Sequence, residues 1–145
     1  MTEENSFNFQ QIEIGQTVEF DQIISESMID KFAEISGDYN QMHINNEYSK
    51  NAGFEGRIAH GILLGAFFSR LVGMYLPGKN ALYFSQSLKF ISPCYPNDLV
   101  TISGKVIKKS TSTKMITIET KITKKPDVKI VIGEAKVIVR DDMNG

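Results

Sequence analysis

The stretch Gly61-Ile-Leu-Leu-Gly-Ala-Phe-Phe-Ser-Arg-Leu-Val-Gly-Met-Tyr75 decides the fold of this 145-residue chain. Its apolar residues fall on every side of a helix, which predicts a helix over about 61–75 that other structure surrounds. The wider apolar run, Ile58 to Leu76, contains the charged Arg70 and ends at Pro77-Gly78. A membrane span needs about 20 predominantly apolar residues without such charges. We therefore predict a helix buried within a folded protein.

Alternating, β-branched runs follow this helix and predict a sheet around it. Short polar turns separate the runs, as in an antiparallel meander. A shorter alternating stretch around Gly15 predicts one more strand or hairpin earlier in the chain. The predicted strands are Ile12–Phe20, Leu82–Ile91, Leu99–Val106, Met115–Ile122 and Ile130–Val139, with polar loops at 108–113 and 124–127.

Two smaller helices are predicted between the first strand and the buried helix. Ser25 is a suitable N-cap for a helix that runs to about Ser36, and Gly37 is a suitable terminator. A second short helix is predicted over 45–52. The residues between these helices, 38–44, are predicted as a loop.

These elements predict an α+β fold in which an antiparallel sheet of five or six strands wraps a long apolar helix. The length fits one domain over residues 1–145, with 1–10 as a loose lead-in. An open sheet of this kind has free edges, and dimerisation is a natural way to cover them.

Composition excludes several functional classes. With 41% hydrophobic and 23% charged residues the chain is globular, and its net charge of -1 gives no electrostatic case for nucleic acid. Cys94 is the single cysteine, which excludes an intrachain disulfide and a cysteine-based zinc site and favours a reducing, cytoplasmic setting. The acidic, polar start, Met1–Ser6, is unlike a signal or transit peptide.

The chain has two histidines, His43 and His60, and both lie near Asp38 just before the predicted buried helix. Histidine is the usual proton carrier at neutral pH. A carboxylate five residues before a histidine can bring both side chains to one water molecule, where one group takes a proton and the other delivers one. Each residue also has a structural interpretation: a turn residue for Asp38, a surface or core histidine for His43, and a helix-start residue for His60.

The start of the predicted buried helix offers a further chemical role. The first N–H groups of a helix are unpaired and carry a partial positive charge. Gly61 has no side chain, so a substrate can approach its backbone closely. A carbonyl oxygen bound there would be polarised. Ser69, further along the helix, is also interpretable as a residue that only bonds back to the helix.

The stretch Ile35-Ser-Gly-Asp-Tyr-Asn-Gln-Met-His43 resembles the signature of the MaoC-like (R)-specific enoyl-CoA hydratases. That signature reads small residue, Gly, Asp, any residue, Asn, Pro, aliphatic residue, His. The resemblance extends over the chain from about Gly15 to Val139. It continues through Phe54–Leu63, Phe68–Gly73, Leu76–Gly78 and Tyr83–Phe90.

The resemblance implies a hot-dog fold and the reversible hydration of trans-2-enoyl-CoA to (R)-3-hydroxyacyl-CoA. It implies a homodimer that acts on an acyl-CoA thioester, without a membrane partner and without a metal or redox cofactor. By position, it makes Asp38 and His43 the catalytic residues that hold the reacting water. The substrate-binding positions that it implies are Gly61, at the thioester carbonyl, with Ser69, Asn40, which supports the loop, and His60.

One departure from the signature and three alternative functions stay open at this point. Gln41-Met42 stands where the family has Pro-aliphatic, and a proline would stiffen the loop. The alternatives are a 3-hydroxyacyl-[acyl-carrier-protein] dehydratase, a non-catalytic module that binds acyl-CoA, and a thioesterase on the same fold. The retained Asp38, Asn40 and His43 favour an enzyme, since a binding module needs no proton-transfer pair.

Overall fold

A computed structural model describes residues 3–141 and packs one long helix against a six-stranded antiparallel sheet. The strands are β1 (Thr17–Ile23), β2 (Ala81–Gln86), β3 (Lys89–Phe90), β4 (Leu99–Ser110), β5 (Met115–Lys124) and β6 (Val128–Val139). The helices are α1 (Glu26–Ser36), α2 (Gln41–Ile44), α3 (Asn46–Asn51) and α4 (Gly61–Arg70). A π-helical turn, Leu71–Tyr75, continues α4, and a 3-10 turn, Phe9–Gln11, precedes β1.

The sheet has the strand order β1-β4-β5-β6-β2, and β3 also pairs with β6. β2 and β3 therefore lie end to end along one partner, whereas a single strand was predicted over 82–91. The pairing with β6 is interrupted at Ser87 and Leu88, because the Ser87 carbonyl oxygen lies over Gly133 of β6. A Cβ atom at Gly133 would lie 1.9 Å from that oxygen.

The helix predicted over 61–75 is confirmed, and one side of it forms the core. Leu64 and Phe68 of α4 are buried in one cluster with Ile102 of β4 and Ile122 of β5. The prediction that structure surrounds the helix on every side is wrong at its first turn, where Ile62 is 57% exposed. The burial of the remaining apolar side chains is the main force that stabilises this arrangement.

The observed strands differ from the predicted ones at their ends. β4 and β5 continue to Ser110 and Lys124, so the predicted loops at 108–113 and 124–127 shrink to turns at 111–114 and 125–127. Paired strands extend until a turn stops them, whatever the polarity of the outward side chains. The first strand begins at Thr17, because Gly15, at a φ of 93°, turns the chain just before it.

The lead-in is packed over its described part, in contrast to the loose segment predicted for residues 1–10. The amide of Asn5 donates to the Met74 carbonyl over 2.8 Å, and Phe9 is buried in a second core cluster. Within residues 3–141 no helix combines the length and the apolar character that crossing a membrane requires.

Candidate active site

The segment between α1 and α3 is shaped by a succession of local hydrogen bonds. Gly37, at a φ of 76°, ends α1 in the left-handed conformation that glycine adopts at no steric cost. The Asp38 carboxylate then accepts from the Asn40 amide over 3.2 Å, and the Asn40 side chain accepts from the Met42 amide over 3.0 Å. Asn40 is thus the N-cap of α2. His43 therefore lies on a helical turn, where a loop was predicted.

His43 is held at both its backbone and its ring. The ring Nδ1 lies 2.8 Å from the Ile58 carbonyl oxygen, and the His43 carbonyl accepts from Arg57 Nε over 2.7 Å. The Ile58 amide donates to the Met42 carbonyl over 3.0 Å. Because a carbonyl only accepts, Nδ1 carries the proton in the neutral ring and the lone pair of Nε2 is free.

The free Nε2 of His43 faces the Asp38 carboxylate, with 3.9 Å between Nε2 and Oδ2. This separation is too long for a direct hydrogen bond. Both atoms are acceptors when the histidine is neutral, so neither satisfies the other. A water molecule between them would donate one hydrogen to each and keep its own lone pairs for a substrate. The spacing of the two acceptors is thus compatible with one bridging water, and the catalytic role of the pair stays a prediction.

His60 lies beneath this pair and is only 2% exposed. Its Nε2 is 3.0 Å from the Asp38 backbone carbonyl oxygen, and its ring packs face to face against that of His43. Among the described residues, nothing offers a partner to the buried Nδ1 of His60. Burial lowers the pKa of His60, although the hydrogen bond to the Asp38 carbonyl acts in the opposite direction. His60 thus contacts the Asp38 backbone and the His43 ring, and it also packs against Phe32 of α1.

The three side chains also have the composition of a metal site. One donor atom each from Asp38, His43 and His60 lie within 4.8 Å of one another. Two imidazoles and a carboxylate are common zinc ligands. An imidazole coordinates a metal in the plane of its ring, however, and stacked rings present their lone pairs side by side in separate planes. The arrangement therefore fits proton transfer better than coordination.

The N-terminus of α4 opens onto a cleft of about 380 Å³ that His43 also lines. Among residues 3–141 no side chain caps α4, which leaves its first N–H groups without a side-chain partner. Most other residues of the cleft wall are apolar: Phe54, Ile58, Ala59, Ile62, Leu64, Phe90, Ile91, Pro93, Ile130 and Val131. His43 and the predicted helix N-terminus at Gly61 therefore line one cleft, whereas Asp38 is not among its lining residues.

Ser69 lies elsewhere. It is exposed on α4, and its position eight residues after Gly61 places it about 12 Å further along the helix axis. The structure does not bring it to the Asp38–His43 pair. Its role in substrate binding stays a prediction, as do those of Asn40 and His60.

Sequence reasoning missed two participants in this site. Arg57 contacts His43, and Phe90 lies against Gly61. Both lie in stretches that resemble the family, but neither was singled out as a site residue. Cys94 is buried in the wall of the cleft. Burial, with a smaller effect of Asp98, raises the pKa of Cys94 to about 12, so the thiol is not an activated nucleophile.

Comparison with known proteins agrees with this geometry. The sequence model of the MaoC-like domain family matches residues 8–127. An (R)-specific enoyl-CoA hydratase of Rhodospirillum rubrum is 40% identical over 131 residues, covering 90% of each chain. A mitochondrial 3-hydroxyacyl-[acyl-carrier-protein] dehydratase of Arabidopsis thaliana is 33% identical over 131 residues, covering 88% of this chain and 78% of its own.

A solved structure, the unliganded R-hydratase PhaJ1 of Pseudomonas aeruginosa, superposes with a TM-score of 0.89 at 29% sequence identity. The superposition covers 96% of this chain and 89% of that one. The likeness in sequence and in fold extends over nearly the whole chain, and the chain belongs to the MaoC-like domain family with a hot-dog fold.

Proposed function

We propose that this chain is a hydro-lyase that reversibly hydrates trans-2-enoyl-CoA to (R)-3-hydroxyacyl-CoA. The observation that carries the proposal is the 3.9 Å separation of two acceptors, His43 Nε2 and Asp38 Oδ2, beside an uncapped helix N-terminus. Hydration of a conjugated thioester needs both features: an oriented water and a site that stabilises negative charge on the carbonyl oxygen.

The dyad performs the proton transfers in this proposal. The water donates to Asp38 and His43, and its oxygen attacks C3 of the enoyl group. One water proton passes to the dyad, and the dyad returns a proton to C2, so the two residues end as they began. The hydroxyl is left on C3 and the hydrogen on C2. Elimination runs through the same steps in reverse.

The start of α4 stabilises the charge that develops. As water adds, the thioester oxygen gains enolate character, and the free N–H groups at Gly61 are placed to bind it. The apolar wall of the cleft, which includes Leu64 and Val131, excludes water from the acyl chain.

A second candidate, dehydration on an acyl carrier protein, uses the same dyad and the same chemistry. It is favoured by the 33% identical plant relative of that name. The carrier is the difference between the two candidates. Assays with the same short acyl group on CoA and on acyl carrier protein distinguish them by kcat/KM.

The test is loss of the enoyl-thioester absorbance with crotonyl-CoA, with the product read by an (R)-specific 3-hydroxyacyl-CoA dehydrogenase. We expect turnover to the (R)-product, and a fall in kcat of at least about a hundredfold in Asp38→Asn and in His43→Ala. Asp38→Asn replaces the basic carboxylate by an amide of nearly the same volume, and His43→Ala removes the basic imidazole. Near-normal turnover in both folded variants would overturn the assignment of the dyad. No turnover on either carrier would overturn the function.

We also propose a homodimer in a cytoplasmic setting. Exposed apolar side chains lie on the β2–β3 edge of the sheet and at the cleft rim: Ile62, Leu82, Phe84, Phe90 and Ile91. A patch of this kind on a free sheet edge favours an interface. We expect the protein to elute as a dimer and Phe84→Glu to shift it toward the monomer. A monomeric wild type would contradict the proposal. The single buried thiol is consistent with a reducing compartment.

A further inference from the structure

The short helix that carries His43 cannot hold its own conformation. α2 has four residues, Gln41–Ile44, and an isolated helix of this length is unstable in water. Its last carbonyls have no partner within the helix. The Met42 carbonyl accepts from the Ile58 amide, and the His43 carbonyl accepts from Arg57 Nε. Ser49 Oγ also donates to the Met42 carbonyl over 2.8 Å. The position of His43 therefore depends on residues 49, 57 and 58.

Arg57 is the one charged side chain in this contact set, and it is only 9% exposed. Its guanidinium bonds in two directions: Nε donates to the His43 carbonyl over 2.7 Å, and Nη2 donates to Asp30 Oδ1 over 2.5 Å. The guanidinium is planar, so its donors have fixed relative directions. Arg57 thus sets the distance between α2 and α1 at this point.

The Arg57–Asp30 bond connects the guanidinium to α1. It lies on α1, the helix that ends at Ser36 and leads through Gly37 directly to Asp38. The guanidinium therefore joins the element that carries His43 to the element that leads to Asp38.

We propose that Arg57 is a positioning residue that maintains the separation between Asp38 and His43 by bridging α1 and α2. It touches neither the water nor the substrate in this proposal, which rests on the proposed function of the dyad. Without the bridge, α2 moves relative to α1 and the two acceptors no longer meet one water. A displacement of about 1 Å at reacting groups can lower a rate roughly a hundredfold.

The test compares two variants. Arg57→Gln removes the guanidinium, and Asp30→Asn removes the negative charge of its partner on α1. Arg70→Gln is the matched control: Arg70 is also part-buried, donates to Gln22 over 3.0 Å and lies over the Phe20 ring. We expect Arg57→Gln to lower kcat roughly ten- to a hundredfold with KM for crotonyl-CoA within about threefold. Asp30→Asn should lower kcat less, and the double variant should match Arg57→Gln alone.

Three outcomes would overturn the positioning role. They are a folded Arg57→Gln with kcat within about twofold of wild type, an Arg70→Gln control with the same fall in kcat, and fully additive effects of the Arg57 and Asp30 changes. If Arg57→Gln does not fold, Asp30→Asn decides, and an unchanged kcat there overturns the proposal. Failure of the proposed function is separate, because it appears as no turnover by the wild type on either carrier. Failure of the dyad assignment appears as near-normal turnover in both Asp38→Asn and His43→Ala.

Discussion

The imidazoles of His43 and His60 stack with their ring centroids 3.9 Å apart and their planes inclined by 27°. Two cationic rings at this distance would repel each other. Burial lowers the pKa of His60, and any positive charge on His43 lowers it further. His60 is therefore neutral when His43 takes up a proton. His60 gives His43 a flat, uncharged support.

This relationship predicts how stability depends on pH. The unfolded chain protonates His60 at its ordinary value of 6.5, whereas the folded chain protonates it only at a lower pH. The stability due to neutral His60 is thus complete above about pH 6.5 and is lost as the pH falls below it. We expect urea unfolding between about pH 7.5 and 5.5 to show a smaller decline for His60→Gln than for wild type. Equal declines would contradict a buried, neutral His60.

A side chain at position 61 is predicted to lower activity without unfolding the protein. A Cβ atom there would lie 2.6 Å from Cδ1 and Cε1 of Phe90. Because Phe90 is 53% exposed, its ring can move aside, so the fold should survive and the cleft should narrow. We expect Gly61→Ala to lower kcat/KM for crotonyl-CoA by about tenfold or more.

Gly65→Ala is the matched control on the same helix. Its Cβ atom would lie 3.1 Å from a methyl carbon of Leu88, a contact that a flexible side chain can relax. Its kcat/KM should stay near that of wild type. Equal losses in the two variants would mean that the effect comes from the helix and not from the cleft.

Gly133 is predicted to be essential for stability. A Cβ atom there would lie 1.9 Å from the Ser87 backbone oxygen, and no rotamer change relieves a clash with backbone. We expect Gly133→Ala to lower the free energy of unfolding by about 3 kcal/mol or more, at the upper end of overpacking costs.

The comparison variant for that measurement is Gly73→Ala, on the π-helical turn. A Cβ atom at Gly73 meets nothing within 4 Å, and alanine is favoured over glycine in a helix by roughly 0.5–1 kcal/mol. We expect this variant to gain stability in urea or thermal unfolding. A Gly133→Ala protein as stable as wild type would show that the Ser87 carbonyl oxygen does not lie over Gly133 as observed.

Cys94 is predicted to resist thiol reagents in the native state. The raised pKa of about 12 leaves no thiolate at pH 8, whereas a thiol at its ordinary value of 9.0 is ionised to about one part in ten. We expect labelling with a disulfide reagent to be slow in buffer and complete within minutes in urea. Equal rates in the two solvents would contradict burial of the thiol.

Much of the fold could be predicted because it depends on local periodicity. The apolar run around Leu64 and the alternation over 115–122 predict a buried helix and a strand without knowledge of any partner. The proximity of Asp38 and His43 was also predictable, since His43 is five positions after Asp38 and Gly37 turns the chain at the end of α1.

The remaining features depend on contacts that are distant in sequence. Four residues are too few to display a helical period, so α2 was not predictable, and it exists because Asn40 caps it and residues 57 and 58 hold it. The break after β2 depends on Gly133, more than 40 residues further along. Arg57 is separated from Asp30 by 27 residues, and nothing in the sequence around either one indicates the pairing.

The dependence of α2 on its neighbours has a consequence for heat inactivation. Elements with few interactions of their own open locally at a lower cost than global unfolding. α2 can detach from residues 57 and 58 while β4, β5 and β6 stay paired. Warming would then abolish turnover at a temperature below the cooperative melting of the sheet, and cooling would restore it. The difference between these two temperatures measures how much less stable the attachment of α2 is than the sheet.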